Sequence, residues 1–350
     1  MNGLVFTPIT TERLLIRSFA DEDADDFHAR RDDPEVARYQ NWVTPYPREA
    51  TDQIVAGLTA MAGPEVGEWW MAIVEDRHTG DVYGDLALHL SDDGNTAEVG
   101  YTFDSRHWGN GYAVESLDGI LGYLFEELDV TRVFGMLHPD NPASAMVMER
   151  AGFRFEGHTR RSFWLDGEVS DDWIYGMVRE DWEAWRNRTR TPPDEIRLVE
   201  ISSGNLEQVI KLETHRTQER FVARMDESFV DALFPGTVDG APVDPWMRGI
   251  EAGGELVGFV MLALRTEHHP EPVLGRFLID RMHQRRGLGG RALGLVESAC
   301  LAMGDTTLVT SWSEGKGSPR PFYEAHGFVA TGRIVDGETE ARKVLRDPLG

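Results

Sequence analysis

Two glycine-bearing segments have the residue pattern of an anion-binding loop. The first reads Trp108-Gly109-Asn110-Gly111-Tyr112-Ala113 and the second Gln284-Arg285-Arg286-Gly287-Leu288-Gly289-Gly290. Each follows a strand-like run that ends in an apolar residue and an aspartate, Phe103-Asp104 or Ile279-Asp280, and each is followed by apolar residues at helical spacing. Such a loop directs backbone N–H groups to one spot at a helix start, where the helix dipole also favours an anion, and its glycines let a pyrophosphate approach the main chain. Other nucleotide motifs fit worse. A dinucleotide fingerprint needs G-x-G-x-x-G early in a βαβ unit, and Gly315-Lys316-Gly317 lacks the flanking spacing of a P-loop.

The two loops belong to one long repeat. Asp104, Gly111 and Ala113 fall on Asp280, Gly287 and Gly289 at a shift of 176 positions, and Glu149-Arg-Ala-Gly152-Phe153 falls on Glu324-Ala-His-Gly327-Phe328 at a shift of 175. A period this long marks a duplicated or fused domain, not a solenoid. The polar stretch from Asn187 to Pro192-Pro193 suits a linker, because paired prolines disfavour helix. Two domains are therefore expected, 1–190 and 191–350, each long enough for its own core. Alternation predicts strands at 13–17, 69–75, 82–90, 98–103 and 133–137, a closing hairpin over 157–165 and 173–178, and a helix over 114–128. The second half shows the same order, with strands at 254–264, 273–279 and 307–311 and helices at 292–303 and 320–326. The class is α+β: each half a mixed, mostly antiparallel central sheet flanked by helices.

Paired loops with E-x-x-G-F downstream resemble the GNAT superfamily of acyl-CoA-dependent N-acetyltransferases. Its signature Q/R-x-x-G-x-G/A is matched in full by Gln284, Gly287 and Gly289; in the first half Gly111 and Ala113 match, and Trp108 stands where Gln or Arg is usual. That departure, with Tyr112-Ala-Val-Glu115, Thr11-Glu-Arg-Leu14 and Leu165-Asp-Gly167 through Asp172 and Tyr175, is similar to the RimJ/RimL branch. The second half resembles bacterial diamine and spermidine acetyltransferases of the BltD kind, on Gln218, Phe221-Val-Ala223, Arg276 to Asp280 and Pro321-Phe-Tyr323-Glu324. The resemblance implies tandem GNAT-like domains, with acetyl-CoA bound as a substrate where two central strands part. It places that site at Phe103, Trp108, Gly109, Asn110, Gly111, Tyr112, Ala113 and Asn141 in the first half. In the second it falls on Ile279, Gln284, Arg285, Arg286, Gly287, Leu288, Gly289 and Gly290. The implied activity is direct acetyl transfer to a primary amine, that of a small cation such as a polyamine or an aminoglycoside-like compound. The branch resemblance leaves protein N-termini open as acceptors of the first half, and the departures at Trp108 and Met148 leave open one non-catalytic, structural or CoA-binding half.

Such a transfer needs a base for the ammonium, an N–H donor for the oxyanion and an acid for the thiolate. The family position of the acid falls on Tyr323, with a core-packing aromatic as the alternative. Met148 occupies the aligned position in the first half and cannot donate, so the branch resemblance implies Ser144 there, with an ordinary N-cap as the alternative. Glu98, on the strand leading into the first loop, is the candidate base, set against an exposed strand glutamate. Glu213, Glu267 and Glu271 are its unranked counterparts in the second half, and Asp104 and Asp280 are expected to shape turns. Trp69, Trp70, Trp164, Trp173, Trp182 and Trp185 either line an amine pocket or fill cores. His268-His269 lacks a partner at ligand spacing, so no metal is expected.

Composition narrows the partners. Sixty acidic against 35 basic side chains give a net charge of −25, which argues against nucleic acid, since phosphates are neutralised by Lys and Arg. An acidic surface either concentrates cationic substrates or only confers solubility; Arg106, Arg285 and Arg286 keep positive charge at the loops. No stretch approaches the roughly 20 apolar residues of a membrane span, and residues 1–18 lack the pattern of a leader. With one cysteine, Cys300, and hence no disulfide framework, the cytoplasm is the expected compartment. The expected assembly is a monomer whose halves pack as a pseudo-dimer, without nucleic-acid or membrane partners.

Overall fold

The expected runs form strands, some with alternating burial, as at Thr96–Phe103, and some buried on both faces, as at Trp69–Asp76 and Glu255–Leu264. The computed structural model describes residues 5–238 and 240–346, and the chain divides into two compact units, residues 1–187 and 188–350. The first unit contains β1 (Ile9–Thr10), β2 (Leu14–Ser18), β3 (Trp69–Asp76), β4 (Val82–Leu90), β5 (Thr96–Phe103), β6 (Arg132–Leu137), β7 (Arg154–Leu165) and β8 (Glu168–Val178). They form one sheet in the order β1-β2-β3-β4-β5-β6-β8-β7, antiparallel except for the parallel β5·β6 pair. The second unit contains β9 (Ile196–Val199), a small ribbon of β10 (Thr237–Val238) and β11 (Ala241–Pro242), then β12 (Asp244–Ala252), β13 (Glu255–Leu264), β14 (Val273–Ile279), β15 (Thr307–Trp312), β16 (Val329–Val335) and β17 (Glu338–Val344). Its sheet runs β16-β17-β15-β14-β13-β12-β9, with β14·β15 the parallel pair. Both sheets are mixed and mostly antiparallel, as the alternation predicts.

Helices cover the sheets through apolar stripes. In the first unit Leu117, Ile120, Leu121 and Leu124 are fully buried against Leu14, Ile16, Ile73 and Leu86, and each such side chain removed from water contributes about 1.5–3 kcal/mol. The helix over 114–128 departs from a single α-helix: Tyr112–Gly122 is α-helical and Tyr123–Glu127 relaxes into a π turn. The helix Pro142–Ala151 stops at Gly152, whose φ of 100° is the left-handed terminus that glycine tolerates. A Cβ there would also stand 2.4 Å from the Trp185 ring, so the position is glycine for two reasons.

A second glycine pair carries the repeat into the sheets. Gly84 on β4 lies opposite Phe103, and Gly258 on β13 lies opposite Ile279. A Cβ would fall 2.5 Å from the Thr102 carbonyl oxygen in the first case and 2.4 Å from that of Leu278 in the second. Each strand that enters a glycine loop is thus crossed closely by its neighbour just before the loop, and only a residue without a side chain fits.

Candidate active site

Each parallel pair separates almost as soon as it forms. β5 and β6 pair at Thr96, Ala97 and Glu98 with Arg132, Val133 and Phe134, and then part, although β5 runs to Phe103 and β6 to Leu137. β14 and β15 pair only at Val273 and Leu274 with Val309 and Thr310. Beyond those points the facing backbone groups have no ladder partner, and a cleft opens that leads to the glycine loop.

Both loops are held by the same hydrogen bond made by different side chains. Gln284 Nε2 donates to the Ile279 carbonyl at 3.0 Å, and the Trp108 indole N–H donates to the Phe103 carbonyl, its counterpart, at 2.8 Å. Trp108 therefore does the work of the glutamine it replaces, although its ring is half exposed. The backbone repeats too: Gly109 and Gly111 have φ of 80° and 82°, and Arg285 and Gly287 have 64° and 71°. Arg285 holds a left-handed conformation as a non-glycine residue, at a cost of about 1–2 kcal/mol. Gly111 and Gly287 are the N-caps of the helices Tyr112–Gly122 and Leu288–Ala302, whose first-turn N–H groups have no partner inside the helix. This donor set fits a phosphate-bearing group such as the pyrophosphate of acetyl-CoA.

The loops are buttressed differently. In the first unit Glu115 accepts from the Thr11 hydroxyl at 2.6 Å, the Arg13 backbone N–H at 2.7 Å and Arg13 Nε at 2.7 Å. Burial alone raises the Glu115 pKa, but these donors outweigh it and hold the carboxyl below its usual value. Arg13 also donates to the Asn110 carbonyl at 3.0 Å and lies over the Tyr112 ring, and Asn110 Nδ2 folds back onto the carbonyls of His107 and Trp108. Arg106 is paired with Asp104. In the second unit the guanidinium of Arg286 is engaged by the Thr191 carbonyl at 3.0 Å and by His283, and Arg291 binds the carbonyls of Pro193 and Asp194. Gly289 and Gly290 serve helix packing: a Cβ would meet Phe322 at 3.2 Å and His326 at 2.6 Å. Leu288 is buried and Ala113 partly so. Asp104 and Asp280 cap the turns before the loops, each accepting a backbone N–H two residues on.

Glu98 stands at the last position of β5 that pairs with β6, half-buried, and lines a cavity of about 940 Å³ in the first unit. Burial raises its pKa; His89 opposes this and the Asp172 charge adds to it. The cavity lies over the sheet face that carries Trp69, Met71, Asp85, Ala87 and Gly100, under the helix Arg48–Thr59, the loop 38–46 and the hairpin tip near Phe163. Among the tryptophans, Trp69 lines it with Trp42, while Trp70, Trp182 and Trp185 are buried in the core.

Ser144 is not the N-cap of its helix. Asn141 is, its Oδ1 accepting the Ser144 backbone N–H at 3.1 Å. The Ser144 hydroxyl instead meets the Tyr101 hydroxyl at 2.7 Å, while Tyr101 also donates to the Ser144 carbonyl at 2.9 Å. Either hydroxyl can be the donor in this contact, so a proton can pass along the pair. Burial pushes the Tyr101 phenol above its ordinary pKa. Met148, at the aligned acid position, is core. In the second unit Tyr323 is buried, stacked on Trp312 at 6.0 Å, and burial pushes its pKa up to about 12, with the Thr310 hydroxyl pulling the other way. Thr310 is the last parallel-paired residue of β15, so this phenol sits where β14 and β15 part. Of the candidate bases there, Glu213 is paired with Arg281 and Glu271 with Arg342, and Glu267 is exposed.

Sequence reasoning missed Tyr101, Trp42 and the pair Arg31 and Asp85, which the fold assembles from segments that carry no motif.

The Acetyltransferase (GNAT) domain family matches residues 13–154, and the Acetyltransferase (GNAT) family matches residues 206–328. The chain is 28% identical over 176 residues to the uncharacterized N-acetyltransferase YoaA of Bacillus subtilis, covering 50% of this chain and 98% of that protein. It is 29% identical over 130 residues to the ribosomal-protein-serine acetyltransferase of Escherichia coli, covering 37% of this chain and 71% of that protein. A crystal structure of a GNAT-family acetyltransferase from Bacillus anthracis aligns with 27% identity and a TM-score of 0.45, covering 50% of this chain and 99% of that one. Among the described residues no helix is long and apolar enough to cross a membrane.

Proposed function

Because the chain belongs to the GNAT acetyltransferase family in both of its units, we propose that it transfers the acetyl group of acetyl-CoA directly to a primary amine, and that the second unit serves a small cationic amine such as a polyamine or an aminoglycoside-like compound. The observation that carries the reading is the parting of β5 from β6 right after Glu98, with the glycine loop following the far end of the same strand. The bound thioester supplies an activated acetyl carbon: the nitrogen–carbon bond forms, the carbon–sulfur bond breaks, the ammonium proton leaves to a base and the thiolate takes one up.

The chain's residues divide these tasks. The loop Trp108–Ala113 with Phe103, and the loop Gln284–Gly290 with Ile279, hold the phosphates by backbone N–H groups. Glu98, its proton affinity raised by burial, takes the ammonium proton in the first unit. The Ser144 and Tyr101 hydroxyls, linked at 2.7 Å, form a proton-donating pair there, and Tyr323 donates in the second unit. The first unit is of the RimJ/RimL type and the second of the BltD type. A second reading for the first unit, acetylation of protein N-termini, is favoured by its cavity of about 940 Å³ and by the similarity to a ribosomal-protein-serine acetyltransferase. The shared Trp108 and Gln284 bond speaks against a decayed first loop.

A panel of amines incubated with acetyl-CoA tests the reading by thiol release and mass spectrometry: at least one primary amine should be acetylated as thiol appears. Thiol release without acetylated amine, or no turnover across polyamines, aminoglycosides and peptides, would count against it. For the second unit, Tyr323→Phe removes one hydroxyl from a packed ring and should lower kcat by about 10²-fold, read in a Gly111→Val background that silences the first unit. Unchanged turnover removes Tyr323 from the acid role.

A further inference from the structure

The floor of the first unit's cavity holds more positive charge than its partners neutralise. Arg30 and Arg31 are adjacent on the helix Ala24–Asp32 and both turn toward one carboxylate, Asp85 on β4. Arg30 takes it, Nη2 at 2.7 Å and Nε at 2.9 Å, with both side chains 2% exposed or less. Arg31 is left 3.9 Å from the other oxygen. Its remaining neighbours are the faces of Trp42, Phe27 and Tyr46, at 4.0, 4.3 and 5.9 Å, and the Met71 sulfur at 3.9 Å. Aromatic faces stabilise a cation but accept nothing from the in-plane N–H groups, and Arg31 Nε is buried without a hydrogen-bond partner. The side chain is only 9% exposed, yet it lines the cavity. Two guanidinia on one carboxylate leave a net positive charge that water scarcely reaches, and a buried charge without its full complement of partners is costly.

On the same sheet face the cavity carries the opposite charge. Glu98 and Asp172 line it beside the point where β5 and β6 part. Arg31 touches Met71, which pairs with Ala87, which pairs with Gly100, two residues from Glu98. With strands about 4.8 Å apart and a rise of about 3.3 Å per residue, the backbone positions of Met71 and Glu98 are separated by roughly 12 Å, the span of an extended tripeptide.

We propose that the acceptor of the first unit is a small zwitterion of dipeptide to tripeptide size, its carboxylate bound by Arg31 and its amine presented to Glu98. Arg31 is then a specificity-determining residue: it completes its hydrogen bonding on the acceptor carboxylate, and it selects against amines that lack one. The inference rests on the proposed use of this cavity as the acceptor site, so binding is measured separately from turnover. The probes are trialanine with a free C-terminal carboxylate and the same peptide as its C-terminal amide, titrated calorimetrically into the unaltered full chain. The acid is expected to bind about 10- to 100-fold more tightly, the range for a hydrogen bond to a charged group. Equal affinity, or binding of neither peptide, overturns the proposal whether or not any amine is acetylated. Arg31→Gln should abolish the preference and Arg31→Lys should restore part of it, with thermal melting confirming that each variant is folded. A preference for the acid that persists in folded Arg31→Gln also overturns it. In turnover, Arg31→Gln should raise KM for the acid with kcat little changed, whereas loss of the chemistry itself would appear in kcat for both peptides.

Discussion

Glu98→Gln should lower kcat of the first unit by about 10²- to 10⁴-fold, the usual contribution of a positioned general base, and leave acetyl-CoA affinity unchanged. The substitution keeps the side chain's shape and removes only its ability to take up a proton. Glu98 does not touch the glycine loop, which lies beyond the far end of β5 after Phe103, so phosphate binding should persist. The pH profile gives an independent check. A base must be ionised to act, and burial, aided by Asp172 and opposed by His89, raises the Glu98 pKa. Activity should therefore fall on acidification at a pH above the ordinary glutamate value of about 4.3, and this limb should vanish in the glutamine variant. An unaltered limb would assign the proton to another group.

Asp85→Asn should destabilise the first unit by about 3–5 kcal/mol, because removing one partner of a buried ion pair leaves the other charged and unpaired. Here two guanidinia lose their shared carboxylate at once, and Arg30 and Asp85 are almost wholly out of water. Asparagine preserves volume, so the loss reports charge and not packing. Burial already lowers the Arg31 pKa, with Asp85 the main opposing influence, so the variant also loses what holds Arg31 in its charged form. The denaturant midpoint reads the effect. A change below about 1 kcal/mol, the range of surface pairs, would mean that this cluster is hydrated and contradict its description as a desolvated site.

Much of this architecture is legible in the chain because glycine answers to backbone constraints that spacing reveals. Gly111, Gly287 and Gly152 stand where φ is positive, and their repetition marks both the loops and the duplication. The strand at 96–103 shows alternating burial over its first half, whereas those at 69–76 and 82–90 carry runs of buried residues on both faces and are legible from their apolar, β-branched and aromatic content. The same reasoning stops at Trp108, where one-letter dissimilarity hides identity of function, since an indole N–H reaches the carbonyl that an amide reaches in the other unit. It leaves the cap before Ser144 open, because Asn141 and Ser144 are both good capping types and only geometry chooses between them. It also misses β12 and the β16–β17 hairpin; every residue of β16 is exposed, so that strand has no buried face to show alternation. The cavity beside Glu98 is the least legible part. Arg31, Trp42, Asp85, Glu98 and Asp172 come from five separate segments, and sheet register, not sequence spacing, brings them together.

If the two glycine loops are equivalent phosphate cradles built with different side chains, calorimetric titration of acetyl-CoA into the full chain will count them. Two sites are expected, one lost in Gly111→Val and the other in Gly287→Val, since a β-branched residue cannot hold φ of 82° or 71° without strain. A single site that survives Gly111→Val and disappears with Gly287→Val would contradict the account, leaving the first loop a structural remnant.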